Sequence, residues 1–585
     1  MKDALRVTPG EWIHDAKDKA NLFAKTCSSK WVLPIIEENS FSEIVSHDDS
    51  MSGFLAVQVR NAKQVLKALN ESSGTGPDRL PARILKYCAD ALAVPVAKLA
   101  RRIIVTGTWP SDWCMHWISP LHKRKSVYNS SNYRGLQLTS QLSKVVERLL
   151  GRLFLPYLET NLIYGQRQFA YRKGRGSRDA ILLLVLNWLM AMGNGFKIAV
   201  YCSDVSGAFD KVCAERLVSK LQAASIHPCI VRLLSSWLQS RSAVVVIGGS
   251  TSKVFCMKDM VYQGTVWGPP LWNVYFADAS VAVQTAGFSE IVFADDLNAF
   301  RLYANTVDNQ QLLADLRHCQ FMLHAWGKAN QVEFDPGKES FHVISRRHAY
   351  GPNMKILGLV FDMGLVMKDT VESCVADCSW KLRCLLRSKK FFTNGEIVLL
   401  FKSHILSYIE YRTPGIFHAT DTVLMPLDNI LTKVLNDTGI TSLDALRHFR
   451  LAPLCARRDI AMLGVVHRSV LGKGPVELRA FFRLSQECPA RLGSRSAARH
   501  HSRTLVDCCH GLVQDYCLRS ALAMPRIYNL LPEYVVSTNS VSIFQSRLQQ
   551  LMLSYANSGA DDWSKLFSLR QCLYAHPLRK APLTQ

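Results

Sequence analysis

Acidic residues are scarce in this chain of 585: 47 Asp and Glu face 70 Lys and Arg, a formal net charge of +23. Such an imbalance disfavours a basic partner and points to a polyanion, nucleic acid first. Long apolar runs are missing too. AILLLVLNWLMAM at 180–192 is interrupted by Asn187 and too short to span a bilayer, so it reads as a buried helix. The opening MKDALRVTPGEW has no apolar leader segment. No membrane partner is expected. The 17 cysteines are odd in number and never fall in a paired CxxC, which speaks against a disulfide scaffold. A reducing intracellular compartment follows, cytoplasm or nucleus. Gly-Lys-Ser/Thr phosphate loops, GxSxG nucleophile elbows, internal repeats and low-complexity tracts are all lacking.

What is present is uneven charge and a pattern of strands and helices. Residues 121–175 carry eleven Lys/Arg against two Asp/Glu, and residues 454–503 carry ten against three. Two local excesses of this size favour contacts with backbone phosphates over a merely solvated face. The length suggests three or four domains or subdomains. Residues 1–70 read as a helical extension with a polar break at His47-Asp48-Asp49-Ser50, and SSGTGPDRLP at 72–81 is a turn-rich boundary. Short strands then alternate irregularly with helices over 71–370, an α+β pattern rather than regular βαβ. From 370 onward the periodicity is almost wholly helical. That stretch divides into 371–470 and a basic helical region 471–585.

The densest chemistry lies in SEIVFADDLNAF at 289–300, where Asp295 and Asp296 stand side by side at the tip of a strand-turn-strand. Adjacent carboxylates repel and give a core nothing. A divalent cation removes that cost. Asp204 ends another apolar strand, FKIAVYCSD, 91 residues upstream of Asp295. Ile198, Val200, Cys202 and Asp204 alternate on one strand face. Asp204 reads either as a metal ligand or as the cap of the helix that follows. With the downstream pair, the ligand reading carries more weight. Three acids on two strands would hold two metal ions for in-line phosphoryl transfer.

Around these acids stand further candidates, each with a plainer alternative. Phe209 is a bulky ring able to lie under a nucleotide sugar, or an ordinary core residue. Asp210 pairs with Lys211 or caps locally. In Tyr262-Gln263-Gly264-Thr265-Val266-Trp267-Gly268-Pro269-Pro270, Gly264 permits close backbone approach and the prolines suit a helix first turn. The loop supports a template base and nucleotide, or merely connects. Lys123, Arg124, Lys125 and Arg134 suit a triphosphate, or form a solvated run. Lys338 is a candidate general acid, or a surface lysine. Cys508, Cys509, His510 and Cys517 lack structural zinc spacing and read as buried thiols. Cys374, Cys378 and Cys384 read as core.

Taken in order, these segments resemble the reverse transcriptase of non-LTR (LINE-type) retrotransposons. GPDRLP (76–81), WISPLHKRKS with NYRGLQLTSQLSKVVER (117–148), QFAYRKGRGSRDA (168–180), SDVSGAFDKV (203–212), YQGTVWGPPLWNVYFAD (262–278), FADD (293–296), the stretch Trp326–Lys338 and KILGLVFD (355–362) are similar to successive motifs of that family. YNLLPEYVVSTNSVSIFQSRL (528–548) resembles a C-terminal segment common in such elements. The resemblance implies a right-hand polymerase with fingers and palm over 71–370 and a thumb over 371–470. It implies metal coordination by Asp204, Asp295, Asp296 and the Val205 carbonyl. Mg²⁺ is the expected ion, two per site, with Mn²⁺ able to substitute. Lys123 and Arg134 would meet the triphosphate, Phe209 would be the steric gate, and Gln263, Gly264 and Lys338 would complete the nucleotide site. RNA template, DNA primer and deoxynucleotides are the implied partners. Tyr262 and Gly135 stand where the family has Pro, and Trp267 adds bulk. No endonuclease segment is expected ahead of Gly76, and no RNase H-like acid cluster follows 370. Two other readings compete: an inactive element relic that only binds nucleic acid, and a host-like polymerase akin to telomerase or intron maturases.

Overall fold

The computed structural model describes residues 5–8, 11–34, 50–51, 53–123, 126–485 and 501–580. The expected polar break at His47-Asp48-Asp49 and the cluster members Arg124 and Lys125 lie outside the described residues. The chain is a mixed α+β protein with a helical C-terminal region. It divides into two discontinuous compact units. Among the described residues no helix is long and apolar enough to cross a membrane.

The first unit comprises Met1–Arg172, Ser203–Leu297 and Arg317–Glu339. Its N-terminal extension is not purely helical. Leu5–Thr8 pairs with Glu11–Ile13 as a short hairpin before the helix Ala16–Lys30, which Asp15 caps through the N–H groups of Lys17 and Asp18. Two helices follow, Ala82–Tyr87 and Ala89–Thr106, broken at Cys88. A five-stranded sheet runs Tyr133–Leu138, Met115–His122, Arg241–Ile247, Ser250–Thr251, with Phe255–Met257 also paired to Arg241–Ile247. Its register sets Trp117 antiparallel to Leu138 and parallel to Val244. Pro120 faces Gly135 in this ladder. A Cβ at Gly135 would meet Ile118 Cγ2 at 2.9 Å and Cys27 Sγ at 3.7 Å. Glycine therefore leaves room for the Ile118 side chain of the neighbouring strand. The helix Gln141–Thr160, capped by Ser140, buries Val145, Val146, Leu149, Leu150, Phe154 and Leu158 at helical spacing.

The second unit comprises Lys173–Cys202, Asn298–Leu316 and Ser340–Gln585. The strand Ser340–Ile344 pairs antiparallel with Phe196–Ser203, setting His342 against Val200, and Asp296–Ala304 flanks the latter strand. The alternation at Ile198, Val200 and Cys202 suggested one buried face. Ala199 and Tyr201 are equally buried, so both faces of this strand are covered. That fits a central strand rather than a half-solvated one. The helix Ser177–Gly193 is apolar all round and almost fully buried, as its run of leucines requires. Four longer helices, Lys368–Arg387, Asp421–Thr438, Leu454–Val470 and Val541–Asn557, dominate the rest. Cys374 and Cys378 are buried on the first of these, but Cys384 is exposed. Six residues past Cys378, it has turned off the apolar stripe. Cys508, Cys509 and Cys517 are free thiols, and the Cys517 Sγ–H donates to the Leu189 carbonyl at 3.3 Å.

Candidate active site

Every residue singled out from the sequence as a site candidate and described here lies in the first unit. The acids occupy strand ends. Asp204 directly follows the strand Phe196–Ser203, and Ala294-Asp295 is the turn between Ser289–Phe293 and Asp296–Ala304. Asp204 caps no helix, because Ala208–Asp210 is a single 3₁₀ turn and the next α-helix starts at Ala214. Instead its carboxylate is ion-paired with Lys338. Lys338 also reaches Asp335 at 3.3 Å.

The main chain holds this pairing. The Asp204 carbonyl accepts the Asp335 N–H at 2.9 Å, and Ser206 N–H donates to the Glu333 carbonyl at 2.8 Å. Lys211 closes the staple on Glu333 at 2.8 Å, so it is not the partner of Asp210. Burial alone would lower the Lys338 ammonium. Its bonds to Asp204 and Asp335 outweigh that and hold it above the ordinary lysine range.

Asp295 is strongly perturbed. Loss of solvent, and then the charge of Asp204, push its carboxyl up to about 6, against the pull of Arg134 and Lys338. The carboxyl of Asp295, raised by the charge of Asp204, and the Asp204 carboxylate present oxygen donors of the kind a hard divalent cation takes. Among the described residues no three His, Cys, Asp or Glu side chains gather as a metal cluster.

Phe209 sits on the 3₁₀ turn with its ring centroid 6.0 Å from both Tyr171 and Trp272. Tyr171 is exposed, takes φ 57°, and has its phenol raised by burial and by Asp295. Nothing in the sequence pattern distinguished it beyond its place in QFAYR.

The Gln263-Gly264 loop lies on the edge of the sheet. Gln137 N–H donates to the Gln263 carbonyl at 3.1 Å. Gly264 has φ 100°, and a Cβ there would meet the Gln137 carbonyl at 2.5 Å, so glycine is required on both counts. The bulky neighbours hold the loop from below. Glu147 is fully buried and accepts the Val266 N–H at 2.6 Å, while Trp267 Nε1 donates to the Glu147 carbonyl at 2.8 Å. Tyr262 donates its hydroxyl to Gln239 at 2.7 Å under the Arg241 guanidinium, 4.2 Å from the ring centre.

Lys123 and Arg134 line a pocket with Lys30, Trp31, Tyr133 and Asp210. Burial, then the cations Arg134 and Lys30, lower Lys123. Burial raises Asp210, whose carboxyl is hydrogen-bonded to Trp31 and faces Lys123, Lys30 and Arg134. Lys30 and Asp210 were not readable as pocket residues. Lys30 belongs to a separate N-terminal helix, and Asp210 follows an acid with a stronger motif.

Comparison with known proteins finds similarity over the region that holds these residues. The family profile for reverse transcriptase (RNA-dependent DNA polymerase) matches residues 121–361. A protein named as the probable RNA-directed DNA polymerase from transposon BS of Drosophila melanogaster is 26% identical over 287 residues, 47% of this chain and 31% of that protein. The RNA-directed DNA polymerase from mobile element jockey of Drosophila funebris is 23% identical over 445 residues, 71% of this chain and 47% of that protein. A relative from the type-1 element R1 of Bradysia coprophila is 25% identical over 279 residues, 45% of this chain and 26% of that protein. The chain thus spans between about a quarter and a half of the length of these relatives. Residues 121–361, which contain Lys123, Asp204, Gln263, Asp295 and Lys338, match the reverse transcriptase profile, and the chain is similar to RNA-directed DNA polymerases named from mobile elements.

Proposed function

We propose that this chain is an RNA-directed DNA polymerase, extending a DNA primer on an RNA template with deoxynucleotides. The apposition of Asp204 and Asp295 carries the reading, since the charge of one raises the carboxyl of the other. The matched domain supports it, as do the basic stretches, which suit a phosphate backbone. Asp204, Asp295, Asp296 and the Val205 carbonyl would hold two Mg²⁺ ions, with Mn²⁺ able to replace them. When bound, such ions supply the charge that stabilises the in-line transfer of the α-phosphoryl group.

The chain's own residues do the rest. The Lys338 ammonium, ion-paired with Asp204, would give a proton to the departing pyrophosphate. Lys123 and Arg134 seat the triphosphate. The Phe209 ring lies under the sugar and leaves no room for a 2′-hydroxyl. Gln263 and Gly264 bring main chain against the nucleotide and its template base. Most of the rate comes from positioning and fixed charge.

The test is extension of a DNA primer annealed to poly(rA), in Mg²⁺ and then in Mn²⁺. Asp295→Asn should abolish extension while leaving primer-template affinity unchanged. A wild-type protein that binds the primer-template but never extends it would instead be a relic limited to nucleic-acid binding.

A further inference from the structure

Ala294, the residue before Asp295, takes φ 62° although it carries a side chain. Left-handed backbone is unfavourable for a non-glycine residue, so its surroundings must hold it there. The side chain of Gln168 does so from both sides. Its amide oxygen accepts the Ala294 N–H at 2.9 Å, and its amide nitrogen donates to the Ala294 carbonyl at 3.1 Å. The oxygen also accepts the Ala170 N–H at 3.0 Å, so only this orientation of the amide satisfies all three partners. Trp272 Nε1 donates to the same Ala294 carbonyl at 3.1 Å.

The segment carrying Gln168 is itself fixed. Phe169 N–H donates to the Val292 carbonyl at 2.8 Å, and Val292 N–H donates to the Arg167 carbonyl at 3.0 Å. Arg172 forks onto Glu159 at 2.7 and 3.0 Å and donates to the Gly165 carbonyl at 2.8 Å. Gln168 is 4% exposed and Trp272 is fully buried. A buried amide that grips the peptide groups on both sides of one strained residue fixes where the next side chain points.

We propose that Gln168 is a positioning residue for the Asp295 carboxylate. It would hold the FADD turn in the one conformation that aims this acid at the metal site. The inference rests on the reading of Asp295 as a metal carboxylate, and the test separates the two. Gln168→Met keeps the volume and removes every hydrogen bond of the amide. Free Mn²⁺ is measured by electron paramagnetic resonance as each protein is titrated, beside single-turnover primer extension and thermal melting.

Gln168→Met should weaken Mn²⁺ binding and slow extension by roughly 10- to 100-fold, the usual effect of removing a group that orients a ligand. Primer-template affinity should stay unchanged. Adding Ala294→Gly, which takes the left-handed conformation freely, should recover part of both losses. If Gln168→Met does not fold, Gln168→Glu, which keeps both accepted bonds, carries the same readings. Loss of Mn²⁺ binding in Asp295→Asn but not in the Gln168 variants would overturn the inference and leave the polymerase reading standing. Unchanged binding in Asp295→Asn would overturn the reading and the inference together.

Discussion

Lys338 and Asp204, 134 residues apart in the chain, are ion-paired side chain to side chain. The lysine is 58% exposed, the aspartate 26%, so the pair stands at the mouth of the site rather than in the core. An exposed pair contributes little to folding. Its value lies in placing an ammonium beside a reacting phosphate. Lys338→Ala should therefore lower the single-turnover extension rate about 100-fold, the scale of a lost general acid, with the melting temperature nearly unchanged. Rapid-quench extension beside a thermal melt reads both. A wild-type rate in the variant would remove Lys338 from the chemistry.

Phe209 is packed between Tyr171 and Trp272, which keep its ring from swinging aside. Phe209→Val opens the space under the sugar. The ratio of kcat/KM for ribonucleotides to that for deoxynucleotides should rise roughly 10- to 100-fold, the range available to a purely steric pocket. Competition between dTTP and rUTP on one template measures the ratio directly. An unchanged ratio would return Phe209 to the core.

Lys30 shares the Lys123–Arg134 pocket and is close enough to lower Lys123. Its ammonium donates to the Ser131 carbonyl at 2.9 Å, which points the N-terminal helix's last turn at that pocket. Lys30→Ala should raise the KM for deoxynucleotide about 3- to 10-fold, ~1 kcal/mol, with little change in kcat. The difference should shrink as salt rises, because exposed charges are screened. Steady-state extension at two ionic strengths checks both statements.

Asp459, on the helix Leu454–Val470, is buried, and loss of solvent pushes its carboxyl up to about 8 despite Arg458 and Arg570. A carboxyl raised in the fold binds its proton more tightly than in the unfolded chain. Its burden is therefore absent below the ordinary value of 3.8 and grows as pH rises to about 8. Asp459→Asn should melt like the wild type near pH 4 and be more stable at pH 8, by at least ~2 kcal/mol. Chemical denaturation at the two pH values would show it. Equal differences at both would mean that Asp459 is not carrying this cost.

Much of the architecture was legible because it is local. The hairpin around FADD follows from two apolar strands about a polar turn. The Pro-Pro start of the helix Gly268–Phe276 was equally plain. Short strands were harder. The hairpin Leu5–Thr8 with Glu11–Ile13 has too few residues for a period to show. Tyr262 and Trp267 read in the sequence only as departures from the family pattern. Packing on Arg241 and Glu147 makes them its supports.

The sequence by itself determined that acids end two apolar strands, that a glycine loop leads into a helix, and that basic charge gathers beside them. Period, turn chemistry and charge act between near neighbours, so a string of residues displays them. Tertiary structure alone decided that Lys338 answers Asp204, that Lys30 and Asp210 enter the Lys123 pocket, and that Gln168 grips Ala294 from 126 residues away. Those choices are hydrogen bonds and charges between segments joined only by folding. A contact made across a hundred residues leaves no repeat in the chain from which it could be read.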